Sequence, residues 1–576
     1  MRKQRILAIV ATLAVGASLV TPRLTTADAT ANFNPVGTYP IVKQPMTIRM
    51  FMVQYADQRD LTTNLFTKQV EQLTNVHLDW VIAPNADYQA KLQLALTSGN
   101  YPPVLMAGFL TKSQLLQYGQ QGLLINLKPL IDKYAPHIKA AMAAIPLLKA
   151  AMTTPTGAIY TVPPYNACFH CWVAQRAWIN NVWLKKLHLS MPTTTAEFVT
   201  VLKAFKKQYP NTVPLDGEGP GNQDNWHTNM VPYFMNSFIY DNDSDYLYIA
   251  NKKVQLAPMQ QQWRNGLAFL HQMWNDGLIN QAAFSQKFQD MQALGHKSPL
   301  SIGVFTAALV GGVEPFGTGL NQWHDYSALA PLKGPDGTRM AGWLRQVGGG
   351  DFEITNKASA DEAIAAIRVA DYLYTLDGSM GVEFGPKGVM WNPAKKGMLG
   401  LNDKPAMYFA DPSWWGQQTQ NWNWDQSTPS YRPRWIFDGR WSGNGHPEYA
   451  GGYEKFLYDV ARNDYYPYHA PYSMVYPEDA WISPQDSQQL SQIQINVNSY
   501  ISTWTVQFIT GKKDLQKDWA SYVQGFAGLQ ADKELSIYQK AYTTWSKTYP
   551  PTFLAPEAAT VPSNASLFTA PQVRTK

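Results

Sequence analysis

The sequence predicts an α/β protein with a parallel sheet and more than one hydrophobic core. Strand-like alternation and helix-like apolar spacing follow one another near the start of the chain. Strands are indicated at 46–52, 76–82 and 102–106, with helical segments at 61–73 and 88–96. This order implies parallel strands joined by right-handed crossovers. Length is the second observation, because about 545 residues beyond the first segment exceed what one core normally holds.

Three later segments carry helix start signals, which are the third observation. Thr194, Ser359 and Ser483 are each followed three residues later by Glu or Asp, and then by apolar residues at a spacing of three or four. A hydroxyl residue with an acid three positions on caps the backbone N–H groups of a helix start. The apolar stripes behind these caps are therefore interpreted as core faces.

Residues 1–29 have the pattern of a secretory signal peptide. Arg2, Lys3 and Arg5 precede the apolar run 6–20, and Ala27 to Ala31 offer small residues for cleavage. The apolar run is short for a membrane span, although an uncleaved anchor remains the alternative. No other stretch approaches eighteen uninterrupted apolar residues.

Both ends of the remaining chain are expected to lack regular structure. Pro35, Gly37, Pro40 and Pro45 predict a flexible leader over residues 30–45. Residues 551–576 are rich in Ala, Pro, Thr and Ser, which predicts an extended tail.

The net charge is too small to indicate a nucleic-acid partner, and none is predicted. The chain carries +5, of which the signal segment supplies +3 (four basic residues against Asp28), so about +2 remains. No run of Lys or Arg offers a basic patch.

The cysteines are two, Cys168 and Cys171, which is too few for a disulfide scaffold. In an exported chain this C-x-x-C either closes a small disulfide loop or remains two thiols. A redox motif would need a clearer strand-to-helix context. A zinc site built on Cys168, His170 and Cys171 would need a second ligand cluster, so no metal site is predicted.

Familiar catalytic motifs are missing from the sequence. There is no H-E-x-x-H, G-x-S-x-G, P-loop or G-x-G-x-x-G, so neither a cofactor nor catalysis of these kinds is predicted. Paired carboxylates of a glycoside hydrolase meet only in the fold, so a secreted carbohydrate-active enzyme is one alternative function. A carbohydrate-binding surface protein without transport is another.

Aromatic content points to a carbohydrate ligand. The chain holds 20 Trp and 31 Tyr, while charged residues make up only 15 %. An aromatic ring stacks on the apolar C–H face of a pyranose, and neighbouring Asn, Gln or Asp satisfy its hydroxyls. Residues 410–470 concentrate Trp with Asn, Gln, Asp and Gly and show no helical or strand period, so they are interpreted as a functional insertion.

A possible cation motif is rejected. Asp241, Asp243 and Asp245 alternate as at the start of a calcium loop, but Tyr246 and Lys252 stand where that loop needs Gly and Glu. We interpret this stretch as a solvated turn.

The order of several segments resembles the extracellular solute-binding proteins of bacterial ABC importers, family 1, in the large oligosaccharide-binding, lipoprotein-like subgroup. The resemblance runs from about residue 46 to 547. The segments that carry it are Thr156–Pro163 (TGAIYTVP), Trp178–Leu187 (WINNVWLKKL) with Met191–Phe198 (MPTTTAEF), Asp276–Asn280 (DGLIN), Asp371–Tyr374 (DYLY) with Gly378 and Ser379, and Phe508–Lys512 (FITGK). Each match is weak alone, and their order makes them specific.

The resemblance implies a two-lobed, type II periplasmic-binding-protein-like fold with a ligand cleft between lobes joined by hinge strands. Lobe 1 would contain residues 46–164 and 329–395. Lobe 2 would contain residues 165–328 and 396–550, including the insertion 410–470. Closure around ligand would be a hinge motion.

The same resemblance implies a function. The protein would be the extracellular substrate-binding component of an ABC transporter, capturing a carbohydrate, an oligosaccharide in particular, and delivering it to a membrane permease. No enzymatic activity, metal or cofactor is expected. The protein is expected to be an exported monomer at the cell surface, outside the cell or in the periplasm. Its membrane contact would be through the permease or an uncleaved anchor.

Ligand positions in this family lie in loops after strand ends, as expected for open α/β sheets. Carried over by position, the ligand-binding residues are predicted to be Tyr55, Asp57, Tyr165, Asn166, Asn225, Trp226, Trp391, Trp422, Trp424 and Asp425. Two features depart from the family. The segment 209–214 has no acid, so the calcium loop of some members is not expected, and no lipid-acceptor Cys follows the signal.

Overall fold

Two four-stranded sheets, each flanked by helices, form the centres of two lobes. The structure is a computed structural model that describes residues 32–221, 226–314, 322–343, 347–410, 419–424, 428–443, 450–557, 560 and 563–568. The predicted signal peptide lies outside the described residues. The predicted α/β class is confirmed.

The elements are numbered in chain order. The strands are β1 (Met46–Gln54), β2 (Val76–Pro84), β3 (Val104–Leu110), β4 (Pro164–Asn166), β5 (Ala177–Asn180), β6 (Val213–Asp216), β7 (Leu247–Ala250), β8 (Lys253–Leu256), β9 (Ile302–Thr306), β10 (Tyr326–Leu329), β11 (Gly350–Ile354), β12 (Trp391–Pro393), β13 (Tyr408–Ala410) and β14 (Ser430–Arg432). The helices are α1 (Leu65–Thr74), α2 (Tyr88–Ser98), α3 (Lys112–Gln120), α4 (Lys128–Tyr134), α5 (Pro136–Ala144), α6 (Pro146–Met152), α7 (Asn181–Lys186), α8 (Thr195–Gln208), α9 (Met230–Met235), α10 (Gln261–Asn275), α11 (Phe288–Gly295), α12 (Val310–Val313), α13 (Ala360–Leu373), α14 (Leu376–Phe384), α15 (Arg434–Phe437), α16 (Ala450–Val460), α17 (Pro484–Ile509), α18 (Trp519–Gly528) and α19 (Ala531–Trp545).

The lobe 1 sheet has the order β11-β3-β1-β2. β1 pairs in parallel with β2 along its whole length, from Met46 opposite Val76 to Gln54 opposite Pro84, and in parallel with β3 on its other side. β11 closes the sheet antiparallel to β3. The carboxyl ends of β1, β2 and β3 therefore share one edge, where the loops of lobe 1 gather.

The lobe 2 sheet has the order β10-β5-β9-β6. β6 and β9 are parallel, whereas β5 runs antiparallel to both of its neighbours. The carboxyl ends of β6 and β9 and the amino end of β5 consequently lie at one edge. Trp178 on β5 is fully buried beneath Phe456 of α16, with ring centroids 5.7 Å apart.

Helix starts follow the predicted caps. The hydroxyls of Thr194, Ser359 and Ser483 each accept a backbone N–H three residues on, at the starts of α8, α13 and α17, which confirms these predictions. The first helix differs from the prediction. It begins at Leu65, because the side chain of Asn64 accepts the N–H groups of Phe66 and Thr67.

The lobes are joined by a short parallel pair, β4 with β14, in which Pro164, Tyr165 and Asn166 lie opposite Ser430, Tyr431 and Arg432. A further connection leads back to β11 in lobe 1. Before it, Lys333 bridges Thr194, so the chain is still in lobe 2 after the predicted boundary at residue 329.

The predicted insertion does not lie on one lobe. Residues 419–424 pack on lobe 1, where Gln420 bridges Gln58 and the Leu65 N–H donates to the Asn421 carbonyl. Residues 450–460 instead form α16 on lobe 2. The prediction that no helical period organises this stretch was wrong here. Tyr453, Phe456, Leu457 and Val460 follow the three- and four-residue spacing of an amphipathic helix and pack on the core.

The predicted flexible leader is fixed along residues 32–45. Ile41 and Val42 are buried, and Phe33 bridges Val42. The Arg368 guanidinium on α13 donates to the carbonyls of Asn34, Pro35, Thr38 and Ile41 at 2.8 to 3.4 Å. The Pro and Gly residues prevent a helix here, but they do not prevent this segment from packing on lobe 1.

The tail also departs from the predicted extended form. Its described residues include the helical turns Pro551–Leu554 and Ala565–Phe568, and both Leu554 and Phe568 are buried. Cys168 and Cys171 form a disulfide with Cα atoms 5.2 Å apart, which decides between the two alternatives left open by the sequence. Within the described parts of the chain, no helix is long and apolar enough to cross a membrane.

Candidate functional site

The carboxyl edge of the lobe 1 sheet is irregular at β3. Ala107 and Phe109 have φ of 54° and 50°, in the left-handed region that residues with a Cβ seldom adopt. The pairing of β11 with β3 shifts register between Gly350 and Phe352. Such backbone strain costs about 1–3 kcal/mol per residue and is found most often at ligand sites.

A crevice of about 730 Å³ opens beside this strained strand end. One wall comes from α2, the end of β3 and α3 of lobe 1, and the other from the first two turns of α17. The lining residues are Gln89, Leu92, Gln93, Leu96, Gly108, Phe109, Leu110, Thr111, Ser113, Gln114, Gln117, Pro484, Gln485, Ser487, Gln488 and Ser491. α17 packs on α10 of lobe 2, so the crevice has walls from both lobes.

The crevice is polar and carries no charged side chain among the sixteen residues that line it. Six are glutamines and four carry hydroxyls. Each glutamine amide both donates and accepts hydrogen bonds, which matches the dual character of a sugar hydroxyl. The carbonyl oxygen of Gln114 is engaged in the α3 capping box, which leaves its amide nitrogen as a hydrogen-bond donor.

An ion pair joins the two walls next to the crevice. Lys112, the first residue of α3, donates from Nζ to Asp479 Oδ1 at 2.7 Å and lies 5.6 Å from the Trp481 ring. The Trp481 indole N–H donates to the Ala150 carbonyl of α6. These contacts hold the segment before α17 against lobe 1.

The corresponding edge of lobe 2 presents Trp226, whose side chain is 42 % exposed. Its carbonyl accepts the Ala308 N–H at 3.1 Å, which ties the loop after β6 to the loop after β9. The Thr306 hydroxyl donates to the Thr228 carbonyl and reinforces the same link. Trp226 is the exposed tryptophan among the large apolar side chains that the described residues present to solvent.

The crossing pair turns its two faces to different neighbours. Tyr165 is 1 % exposed, stacks on Tyr431 at 6.1 Å, and donates its hydroxyl to Glu557. Because side chains alternate along a strand, Asn166 and Arg432 face the other way. Asn166 is half-buried, and its Oδ1 accepts no hydrogen bond from the described residues. Of these two predicted ligand positions, Asn166 remains suited to the role and Tyr165 does not.

Two of the other three predicted tryptophans, Trp391 and Trp424, are packing residues. Trp424 is 0 % exposed, and its indole N–H donates to Thr67 Oγ1 at 2.8 Å. Trp391 is buried and donates to the Gly385 carbonyl at 3.0 Å. Trp422 is half-buried above Gly385, and its Nε1 finds no acceptor among the described residues. A fully enclosed ring cannot stack on a sugar, so neither Trp391 nor Trp424 is retained in the candidate site.

The two predicted positions after β1 differ in exposure. Tyr55 is half-buried, and its N–H donates to Gln58 Oε1 at 3.0 Å. Asp57 is exposed, and its carbonyl accepts the Gln420 N–H. Both lie at the lobe 1 edge. Asn225 and Asp425 lie outside the described residues.

Buried carboxyl groups lie behind the site. Neither carboxylate oxygen of Asp351 on β11 has a hydrogen-bond partner among the described residues, and burial raises the pKa of Asp351 to about 7. Burial also raises the pKa of neighbouring Glu353 well above its usual range, although Thr161 donates to it at 2.7 Å. Both side chains are neutral in slightly acidic solution and are too enclosed to contact ligand.

The predicted solvated turn at 241–245 is also largely enclosed. Asp241 is 0 % exposed, and burial, followed by the nearby Asp243 carboxylate, raises its pKa to about 8. His227 Nδ1 lies 3.1 Å from Asp243 Oδ2, and the Asn229 amide donates to Oδ1 of the same carboxylate. Hydrogen bonds from two asparagines allow the turn to be enclosed. The Asn236 amide donates to the Asp241 carbonyl, and the Asn242 side chain donates to Asp245 Oδ1 and accepts the Ser244 N–H.

Cys168, His170 and Cys171 are the group of possible metal ligands that lies within ligand distance in the described chain. The two sulfurs are bonded to each other and so cannot bind a metal together. Burial lowers the pKa of His170 to about 4, so its ring is neutral.

Sequence reasoning missed the crevice residues on α2, α3 and α17. The rule that ligands lie beyond strand ends would have found Phe109 to Gln117. No sequence signal pairs them with Gln485 and Gln488, which lie more than 360 positions later.

Two lobes, a crossing pair and a polar crevice lined from both sides define a two-lobed ligand-binding protein. Comparison with known families places it further. Residues 55–378 match the family model of the bacterial extracellular solute-binding proteins, which is more than half of the chain. The protein belongs to this family, which confirms the predicted family. Members of this family are exported proteins.

The relatives are sugar-binding members of the family. The chain is 30 % identical over 316 residues to the fructooligosaccharide ABC transporter substrate-binding protein FusA of Streptococcus pneumoniae, and the match covers 52 % of this chain and 56 % of FusA. The chain thus spans about half the length of this curated relative.

Solved structures show the same fold. FusA of S. pneumoniae, in an EF-hand mutant complexed with fructo-nystose, superposes with a TM-score of 0.70 at 24 % identity, covering 87 % of this chain and 100 % of FusA. A human-milk-oligosaccharide (HMO) binding solute-binding protein of Bifidobacterium longum infantis gives 0.74 at 17 %, covering 87 % and 99 %. The alginate-binding protein AlgQ2 gives 0.61 at 22 %, covering 87 % and 99 %.

Proposed function

We propose that this protein captures an oligosaccharide between its lobes and delivers it to the permease of an ABC importer. The observation that carries the proposal is the crevice lined by six glutamines from both lobes. Family membership and the sugar ligands of FusA and the bifidobacterial protein support it. In this proposal the chain acts as a monomer outside the cytoplasm and turns over no substrate.

We further propose that the preferred sugars are uncharged. A uronate buried in the crevice would meet no cationic side chain among the sixteen lining residues. The lysines that adjoin lining residues in the sequence are engaged, Lys112 with Asp479 and Lys91 with Asp87. Burying an unpaired carboxylate is costly, whereas hydroxyls are satisfied by the amides.

Titration calorimetry tests the function. Kestose and other neutral oligosaccharides are expected to bind with one site per chain, and uronate oligosaccharides of equal length are expected to bind at least about tenfold more weakly. Binding of peptides but of no sugar would contradict the proposal. Release of shorter products from a polysaccharide during incubation would favour the enzyme alternative instead.

Replacing Trp226 by Ala is expected to weaken oligosaccharide binding about tenfold, because an exposed indole on the lobe 2 edge gives a stacking surface of about 0.5–1.5 kcal/mol or more. The measurement is the Kd by calorimetry. Leu94→Ala on α2, also highly exposed at 69 %, is the control and should leave the Kd unchanged. An unchanged Kd in Trp226→Ala would remove this residue from the site.

A further inference from the structure

The chain beyond α19 leaves lobe 2 and returns to the crossing pair. α19 packs against α17 in lobe 2, whereas the turn Pro551–Leu554 packs on α6 of lobe 1. Leu554 is 3 % exposed in that position. The tail is therefore a further covalent passage between the lobes.

Glu557 connects two parts of the crossing region. Its Oε2 accepts the Tyr165 hydroxyl of β4 at 2.9 Å. Its Oε1 accepts the backbone N–H of Arg434 at 3.0 Å, at the start of α15 directly after β14. One carboxylate thus holds the first crossing strand and the helix that follows the second.

Phe568 makes a second attachment. It is 0 % exposed, and its ring centroid lies 4.8 Å from Tyr431, 6.3 Å from Trp435 and 6.4 Å from His137 of lobe 1. Tyr431 is itself stacked between Tyr165 and Tyr374. The tail thus extends a row of rings that runs from the end of α13 across both crossing strands.

We propose that residues 551–557 and 563–568 form a clasp that sets the angle between the lobes when no ligand is bound. The clasp contacts α6 and α5 of lobe 1, both crossing strands and α15. Because the clasp follows α19 of lobe 2 in the chain, a hinge rotation of lobe 2 against lobe 1 would put these contacts under load. Glu557 and Phe568 are positioning residues, because they act on ligand capture through the hinge.

The expected effect follows from the strength of such contacts. A hydrogen bond to a charged group typically shifts an equilibrium by about tenfold or more. Loss of the contact between Tyr165 and Glu557 should therefore shift the populations of interlobe angles by about that factor in the ligand-free protein.

Pulsed electron paramagnetic resonance on the full chain tests the clasp. Spin labels are attached to Lys139→Cys on α5 of lobe 1 and Lys207→Cys on α8 of lobe 2, both exposed. The native cysteines are disulfide-bonded and take no label. The interlobe distance distribution is compared for the labelled parent, Tyr165→Phe, Glu557→Ala and the double variant.

Tyr500→Phe is the matched control. Its hydroxyl donates to the Tyr522 carbonyl at 2.9 Å, the same length as the clasp bond, but lies within lobe 2. Tyr165→Phe and Glu557→Ala should each shift or broaden the distribution. Glu557→Ala also removes the bond from the Arg434 N–H, so its change should be at least as large. The double variant should match Glu557→Ala, because the bond from Tyr165 is already lost in that variant. Tyr500→Phe should match the parent.

Distances unchanged in Tyr165→Phe and Glu557→Ala would overturn the clasp, as would equal changes in Tyr500→Phe. Tyr165→Phe preserves the stacked ring, so it carries the test if Glu557→Ala does not fold. The readout needs no sugar and is independent of the proposed function. A chain that binds no oligosaccharide yet shows these distance changes would refute the function and leave the clasp intact.

Discussion

Trp424→Ala is expected to lower the free energy of unfolding by about 3–5 kcal/mol, which is the usual cost of removing a large buried ring. Trp424 is 0 % exposed and lies edge-on to Phe66 and Trp80 at 4.8 and 5.5 Å. Its indole N–H bonds Thr67 on α1. The substitution leaves a cavity and an unpaired hydroxyl, and it releases residues 419–424 from lobe 1.

Calorimetric melting checks this prediction. At about 2–4 °C per kcal/mol for domains of 150–250 residues, the Tm should fall by roughly 6 to 20 °C. Trp226→Ala is the matched control, because that exposed ring should leave the Tm nearly unchanged. A Trp424→Ala protein that melts like the parent but no longer binds sugar would return Trp424 to the ligand site.

Stability is expected to fall as the pH rises from 6.5 to 8. Burial raises the pKa of Asp351 to about 7 and those of Asp241 and Glu314 to about 8. In this window the unfolded chain has already lost these protons while the folded chain still holds them. The folded state therefore binds more protons, and stability declines with pH.

His170 acts in the opposite direction at lower pH. Burial lowers its pKa to about 4, so between pH 4 and its ordinary value of 6.5 the unfolded chain binds more protons and stability rises with pH. Above 6.5 this contribution levels off as the unfolded chain loses its histidine proton, and the raised carboxyl groups then give the downward slope. Each of the three raised carboxyl groups is expected to lower the free energy of unfolding by about 1 kcal/mol between pH 6.5 and 8.

Denaturant unfolding at pH 6.5 and 8 measures this slope. Asp351→Asn keeps the shape of the side chain but removes its titration, so the difference between the two pH values should shrink. Asp132→Asn, an exposed carboxylate on α4, is the control and should keep the parent slope. A stability that rises between pH 6.5 and 8 would show that these carboxyl groups are ionised in the fold.

Local signals predicted the fold well. The alternation at Met46–Met52 and the caps at Thr194, Ser359 and Ser483 depend on neighbours a few positions away, and the structure contains the corresponding strand and helices. The segment order that resembled the solute-binding family was equally informative, because the family model matches from residue 55 onward.

The site was harder to predict because its parts come from distant stretches. Trp424 and Trp226 have the same composition signal, yet one is enclosed by Phe66 and Trp80 and the other is exposed. The exposure of a Trp side chain depends on tertiary packing, which cannot be predicted from the residues next to it in the sequence. The prediction of a flexible leader at residues 32–45 was wrong for the same reason. Arg368, which binds the carbonyls of this segment, lies more than 320 positions away in the sequence.

The Arg368 attachment determines where a mechanical load would enter the molecule. A tether joined ahead of residue 32 would pull first on the carbonyls of residues 34–41 and, through the guanidinium, on α13, not directly on β1. Lobe 1 would then be held by the tether, and lobe 2 would remain free to rotate about the hinge. Immobilising the protein through this end should consequently preserve its hinge motion, whereas attachment through the other end would pull on the crossing strands.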